Sequence, residues 1–414
     1  MASDWVKHCA GWPFGGAAEI TEVRLDMLRV LAKVLLILAI TFGLYVGIDL
    51  AYGYYAGMLR QEAPPNPGVI PGLRGLPYAT GPFMVESGST IDTVAVPGTG
   101  ILMPRGFQGT YFNVERQPPT GLLYRRTANP KATKPDVVTV LFLGGSTVYG
   151  ADAPDGLTIP SLLSQRLNAD DKDHSYVVLN AGTFGANSSM ERERLQYELS
   201  HGLKPGIVIV MDGGLDLMGG IYLGAPGKTF AEGRGRIADL FHRYFPRNIY
   251  RALRGWLAVR AMQLGLKKPP ATFNDPGRID RLTEATVALY VDNQLAMAKL
   301  ARSAGARFIS ALEPNRYAAA FSHPTDDLKF VDQQTDAHLP GLRALMPKAL
   351  SELSAGSARL RSQGVEAVDL TAIFKDKTQD LFTDGAGHFN SIGNAMVADR
   401  LAAVVLGGTA ALQP

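Results

Sequence analysis

The stretch Val137-Val138-Thr139-Val140-Leu141-Phe142-Leu143, broken at once by Gly144-Gly145-Ser146, limits the fold of this chain more than any other. It is apolar or β-branched throughout and shows no polar alternation, so it reads as a strand buried on both faces. Strands of that kind belong to parallel sheets with helices on either side. The two glycines let the backbone turn sharply and leave room beside the next side chain. Ser146 is therefore expected at the carboxyl end of a central strand, where open α/β sheets place their ligand sites. Taken alone, the stretch also fits a strand followed by an ordinary turn.

Downstream the pattern keeps alternating in the α/β manner. Ile159, Leu162, Leu163 and Leu167 have helical spacing, and Tyr176-Val177-Val178-Leu179 is a short buried strand ending in Asn180-Ala181-Gly182-Thr183-Phe184-Gly185. Ser188 with Glu191 predicts a capping box for a helix that stops near Gly202. Ile207-Val208-Ile209-Val210-Met211 is a third strand, ending in Asp212-Gly213-Gly214-Leu215-Asp216. Ala288, Val291, Leu295 and Ala298 line a helix closed by Gly305. Arg307 to Leu312 and Val365 to Leu370 are further strands, and a last helix begins near Ser391. Three successive strands end in Gly-containing loops, which parallel pairing puts on one edge.

The 414 residues suffice for one large or two ordinary domains, and the net charge of +3 with no nucleic-acid-reading motif argues against a nucleic-acid partner. A single cysteine, Cys9, excludes an intrachain disulfide, and no clustered His/Cys pattern points to a metal or other cofactor. Residues 1–33 read as a cytoplasmic N-terminal segment. Residues 34–59, apolar except for Asp49 and ending among Tyr52, Tyr54 and Tyr55, are long enough to span a bilayer. Asp49 is expected toward the head-group side. Lys7, Arg24, Arg29 and Lys33 on the N-terminal flank predict a single-pass inner-membrane anchor with the remainder periplasmic. Residues 60–135 are a Pro- and Gly-rich linker with accessory strands around Tyr111–Arg116 and Gly121–Arg126, and residues 136–414 are the main domain. Residues 217–277 interrupt its rhythm with Arg and Lys interleaved with Phe, Tyr and Trp. A lid or groove for an extended anionic substrate, a helix pair on the membrane surface, and the solvated faces of insertion helices all fit that stretch.

Near the C-terminus stands Asp384-Gly385-Ala386-Gly387-His388-Phe389-Asn390. If this loop shares the edge with Ser146, the groups for acyl transfer are present: Ser146 as nucleophile, His388 as base, Asp384 to orient the imidazole and stabilise its charged form. Taken in order, the blocks resemble the SGNH (GDSL-like) hydrolase superfamily over roughly residues 136–406. Gly144-Gly145-Ser146-Thr147 resembles the first block and Asn180-Ala181-Gly182 the second, which implies that the Gly182 N–H donates to the oxyanion. Gly213-Gly214-Leu215-Asp216 stands in the place of the third, Gly-x-Asn-Asp, and Asp384 to His388 in that of the last, Asp-x-x-His. Two departures are visible. Leu215 replaces the oxyanion-hole Asn, a loss that costs on the order of 100- to 1,000-fold in turnover, and three residues rather than two separate Asp384 from His388.

The resemblance implies a three-layer α/β/α, flavodoxin-like parallel sheet behind one transmembrane helix. It implies a serine esterase that needs no cofactor. An envelope location points to O-acyl, chiefly acetyl, groups of a surface or secreted polysaccharide as substrate. A polysaccharide O-acetyltransferase and a degenerate binding or scaffold subunit of a polysaccharide synthesis and export complex are the alternatives, the latter kept open by Leu215. Tyr149, Phe184 and Phe389 fit either a sugar-stacking wall or the core.

Overall fold

The computed structural model describes residues 17–62, 68, 70–91, 93–229, 253, 257, 260, 275–318, 329, 331–333, 335–336, 339–385 and 387–407. The chain divides into two compact units, Met1–Met58 with Ile237–Ala258 and Leu59–Arg236 with Val259–Pro414. Cys9 and most of the basic, aromatic stretch within 217–277 lie outside the described residues.

Helix α1 (Ala17–Glu62) carries the apolar span of the first unit. Its window Met27–Tyr55, 29 residues at a mean hydropathy of 2.3, is long and apolar enough to cross a membrane. At 1.5 Å per residue it is about 44 Å long, more than the ~30 Å of a hydrocarbon core. The span starts before the expected Val34, because the helix is continuous through Met27, Leu28, Val30 and Leu31, all exposed apolar residues. Asp49, toward the far end of the span, is buried.

The second unit is built on one sheet. Parallel strands β6 (Asp136–Gly144), β7 (His174–Gly182), β8 (Ile207–Asp212), β9 (Arg307–Leu312) and β10 (Glu366–Asp369) lie in the order β10-β9-β8-β6-β7. Numbered within the parallel set, that is 5-4-3-1-2, the flavodoxin-like winding. The order reverses beside β6, so the crevice at its carboxyl end is the topological switch point.

The segment before β6 extends this sheet rather than serving only as a linker. β1 (Thr93–Ala95) and β2 (Leu102–Pro104) form a small separate pair. β3 (Phe107–Gln108), β4 (Asn113–Arg116) and β5 (Leu123–Arg125) continue the main sheet as antiparallel strands, β5 pairing with β7. Before them run helix α2 (Gly81–Thr90) and a single turn at Pro71–Leu73.

The sheet's two faces are covered by different helices. Val140, Phe142 and Ile209 pack with Ile159, Leu163 and Leu167 of α4 (Ile159–Asp170) and with Val397 and Leu401 of the C-terminal helix Ser391–Gly407. Leu141, Leu143 and Val210 face the other way. Their neighbours come from α5 (Ser188–Ser200), α6 (Gly214–Tyr222), α7 (Pro276–Ser303) and α8 (Leu342–Ser362). The C-terminal helix is therefore α9, and the short helix Ser146–Tyr149 is α3. Two expectations need correction. Residues 217–222 belong to α6, whose Leu217, Met218 and Ile221 are core, so the interruption begins only after it. The cap of α5 is Asn187, whose Oδ1 accepts from Met190 N at 3.2 Å, not Ser188 with Glu191. Ser188 is drawn away because its hydroxyl donates to Asp216 at 2.6 Å.

Candidate active site

β6 delivers its last glycine into a place where no side chain fits. A Cβ on Gly144 would lie 2.2 Å from Val148 Cγ2 and 2.6 Å from Met211 O. The chain turns at Gly145 directly into α3, with Tyr149 N–H donating to Gly145 O and Gly150, at φ 80°, closing the turn. Ser146 thus becomes the first residue of a helix at the switch point, 6 % exposed.

The partner loop is pinned at both ends. Phe382 and Phe389 bridge antiparallel, and Thr383 N–H donates to His388 O at 2.9 Å. Gly387 sits at φ 96° and takes up the extra residue between acid and base. His388 Nε2 lies 2.5 Å from Ser146 Oγ, and His388 Nδ1 lies 2.6 Å from Asp384 Oδ2. The other Asp384 oxygen accepts the His388 backbone N–H at 3.2 Å. With Nδ1–H donated to Asp384, the lone pair of Nε2 faces the serine hydroxyl, the geometry that proton abstraction needs.

Burial works against a charged His388, but the charge and hydrogen bond of Asp384, with the further charges of Asp152 and Glu313, outweigh it and raise its pKa to about 9. Glu313 sits just past β9. It accepts Gly214 N–H at 2.9 Å and Thr147 hydroxyl at 3.2 Å, tying the nucleophile turn to the start of α6. Burial raises its pKa to about 7 against those hydrogen bonds. Behind it Glu191, Asp212 and Asp216 are all buried, and burial raises each of them.

The oxyanion side differs from expectation. The Gly182 N–H is directed at Asn180 Oδ1, 3.0 Å away, while Asn180 Nδ2 holds Val148 O. A Cβ on Gly182 would be 2.2 Å from Tyr149 N, so this glycine lets β7 press against α3, in place of the donor role expected of it. The loop's next glycine, Gly185, is half-buried at φ 73°, and its N–H makes no hydrogen bond among the described residues. The neighbouring Ala186 O would be 3.5 Å from a Cβ on Gly145, so this loop flanks the nucleophile turn. Leu215 lies against the nucleophile turn: its Cδ1 would be 2.8 Å from that same Cβ. Of the three aromatics, Tyr149 and Phe389 are core, and only Phe184 is half-buried near His388, ring centroids 6.4 Å apart.

Two residues without a sequence signature shape the site. Arg125 is fully buried. Its guanidinium donates to Tyr149 O at 2.8 Å, Ala153 O at 2.6 Å and Asp155 Oδ1 at 3.0 Å, and also to Gly150 O. Asp152, in the loop so held, is half-buried, and its Oδ2 accepts from Thr383 Oγ1 at 2.5 Å. Only a long-range contact map could have connected either residue to Ser146.

No protein-family model matches the chain, and neither does any curated protein. Solved structures do match. A lipolytic protein of the G-D-S-L family from Veillonella parvula is 13 % identical, with 65 % of this chain and 97 % of that one covered at a TM-score of 0.35. A psychrotrophic esterase from Pseudoalteromonas is 13 % identical over 65 % and 97 %, at 0.33. A variant of an acetyl-xylooligosaccharide esterase from Geobacillus is 13 % identical over 68 % and 96 %, at 0.34.

Proposed function

We propose that this chain is an SGNH-type serine esterase, held at a membrane by α1, that removes O-acyl groups, chiefly acetyl, from a surface or secreted polysaccharide. The observation that carries the reading is the Ser146–His388–Asp384 relay, 2.5 Å and 2.6 Å long, at the switch point of the sheet. His388 takes the Ser146 proton as Oγ attacks the ester carbonyl, and Asp384 holds the imidazolium that forms. The N–H groups of Ser146 and Gly185 are the donors for the oxyanion. His388 then protonates the departing sugar hydroxyl. Water, activated by the same base, releases the acid from the acyl-serine. The polymer is inferred from an envelope location rather than from any residue that reads sugar, and α1 supports that location.

Leu215 favours a second reading, in which the domain binds polysaccharide without turning it over. The full-length protein in detergent, given p-nitrophenyl acetate and acetylated oligosaccharides, separates the two. The esterase reading expects Ser146→Ala and His388→Ala each to lose about 1,000-fold or more, the double variant losing no more than either. Acetyl moved to an added sugar rather than to water would make the chain a transferase. Unchanged polysaccharide binding with no Ser146-dependent release from any substrate would leave only the binding subunit. Alkaline-phosphatase fusions after residue 70 test the orientation, with phosphatase activity expected.

A further inference from the structure

The relay contains one carboxylate more than it uses. Asp152 lies in the loop that follows α3, and Arg125 fixes that loop by gripping carbonyls on both sides of it, those of Gly150 and Ala153. Tyr78 donates to Asp152 O at 3.1 Å and also accepts Ser391 N–H at 3.2 Å, so a third segment holds this loop against the start of α9. The Asp152 side chain is turned to the His388 loop, where the Thr383 hydroxyl holds Oδ2. One oxygen of Asp152, one of Asp384 and one ring nitrogen of His388 all lie within 4.8 Å of one another. Two acids thus face one imidazole from two different loops. Such an arrangement is repulsive unless a positive charge stands between the acids. The imidazolium formed when His388 takes the serine proton supplies that charge.

Resting on the esterase reading above, we infer that Asp152 is a positioning residue of the relay: from the loop behind the nucleophile it stabilises the imidazolium of His388 alongside Asp384, and so sets the pH at which the enzyme works. Three carboxyl groups bear on His388: Asp384 from its own loop, Asp152 from the loop after α3, and Glu313 from the end of β9. Burial and the nearby Asp384 charge raise the pKa of Asp152, and His388, the Thr383 hydroxyl and, least, Arg125 on β5 work against them in favour of its charged form. Asp152 differs from Asp384 in having no hydrogen bond to the ring. Its effect is therefore one of charge, and an isosteric amide removes the charge while keeping an acceptor for Thr383.

The test follows the ionisation of His388 in two ways in the full-length protein in detergent. One is the pH dependence of kcat/KM on p-nitrophenyl acetate. The other is the imidazole NMR titration of histidine-labelled protein, assigned with His388→Gln, which needs no turnover. Asp152→Asn is expected to lower both midpoints by about one pH unit or more, the effect of removing a charge at this range. Asp152→Ser, the second neutral variant, should move them the same way. Asp152→Glu should leave them near the wild-type value even if the rate falls. Midpoints in both neutral variants within about 0.2 of a unit of wild type would overturn the inference and leave Asp152 a structural residue. Failure of the esterase reading would look different: no Ser146-dependent release in the wild type, with the NMR titration still deciding on Asp152.

Discussion

A base that already carries a proton cannot take one from serine. With His388 raised to about 9, the proposed esterase is expected to rest mostly as imidazolium at neutral pH. Its kcat/KM should therefore climb about tenfold per pH unit below pH 8 and level off above about 9, where an unperturbed histidine would level off near 6.5. A pH–rate profile on a small acetyl ester checks this, and a plateau beginning at pH 7 would contradict it. Leu215 sets a second expectation. Its Cδ1 approaches the nucleophile turn and can donate no hydrogen bond there, so in the esterase reading Leu215→Asn should raise kcat by roughly 10- to 1,000-fold with KM little changed. Steady-state kinetics of the purified variant decide it. Ser146, Asp384 and His388 were legible in the sequence because glycines punctuate the chain around them. Asp152 and Arg125 were not, since a lone acid in a loop and a lone arginine in a short strand carry no spacing. The Gly182 N–H is claimed by Asn180, two residues back, and side-chain capture of that kind leaves no mark on a motif.

At the scale of elements, the nucleophile turn is held less by its own four residues than by a strand from the preceding segment. The planar fork of Arg125 reaches three carbonyls and the Asp155 carboxylate, and its guanidinium carbon lies 4.2 Å from the Phe112 ring centroid. Arg125→Ala should destabilise the fold by about 3–5 kcal/mol, the usual effect of breaking a buried ion pair. Arg125→Lys should rescue little of it, because an ammonium group cannot present the same fork. Urea denaturation with activity followed in parallel tests both. The five parallel strands and the helices α4, α7 and α9 were readable from apolar runs and helical spacing. The strands β3 to β5 were only partly so, being two to four residues long and too short for alternation to register. The capping signal at Ser188 misled because a better acceptor, Asn187, stands one residue earlier and Asp216 claims the serine.

For the molecule as a whole, the buried acids and the relay histidine drive stability the same way. Glu313 keeps its proton to about pH 7 in the folded state and His388 to about 9, against 4.5 and 6.5 unfolded. Between those limits the folded chain binds more protons than the unfolded one, so stability falls as pH rises. Glu191, Asp212 and Asp216 are raised too and add to the trend. Asp171, lowered by its hydrogen bonds, works in the opposite direction, but only below its ordinary value of 3.8. Tm in detergent is expected to drop steadily from pH 5.5 to pH 9, and a Tm that rises over that range would refute the account. The winding of the sheet and the apolar span of α1 were both legible at this scale, since each depends on runs of residues rather than on single ones. The antiparallel extension also fixes an order of events during synthesis. β5 pairs with β4 as soon as it is made, but finds its second neighbour only when β7 exists, because Arg125 pairs with Asn180, some 55 residues later in the chain (180 minus 125). Until then β5 is paired only with β4, and the edge that β7 takes stays open. A nascent chain stalled between the two strands therefore presents an unpaired strand edge, a target for holding factors and a seed for misassembly that the finished protein no longer shows.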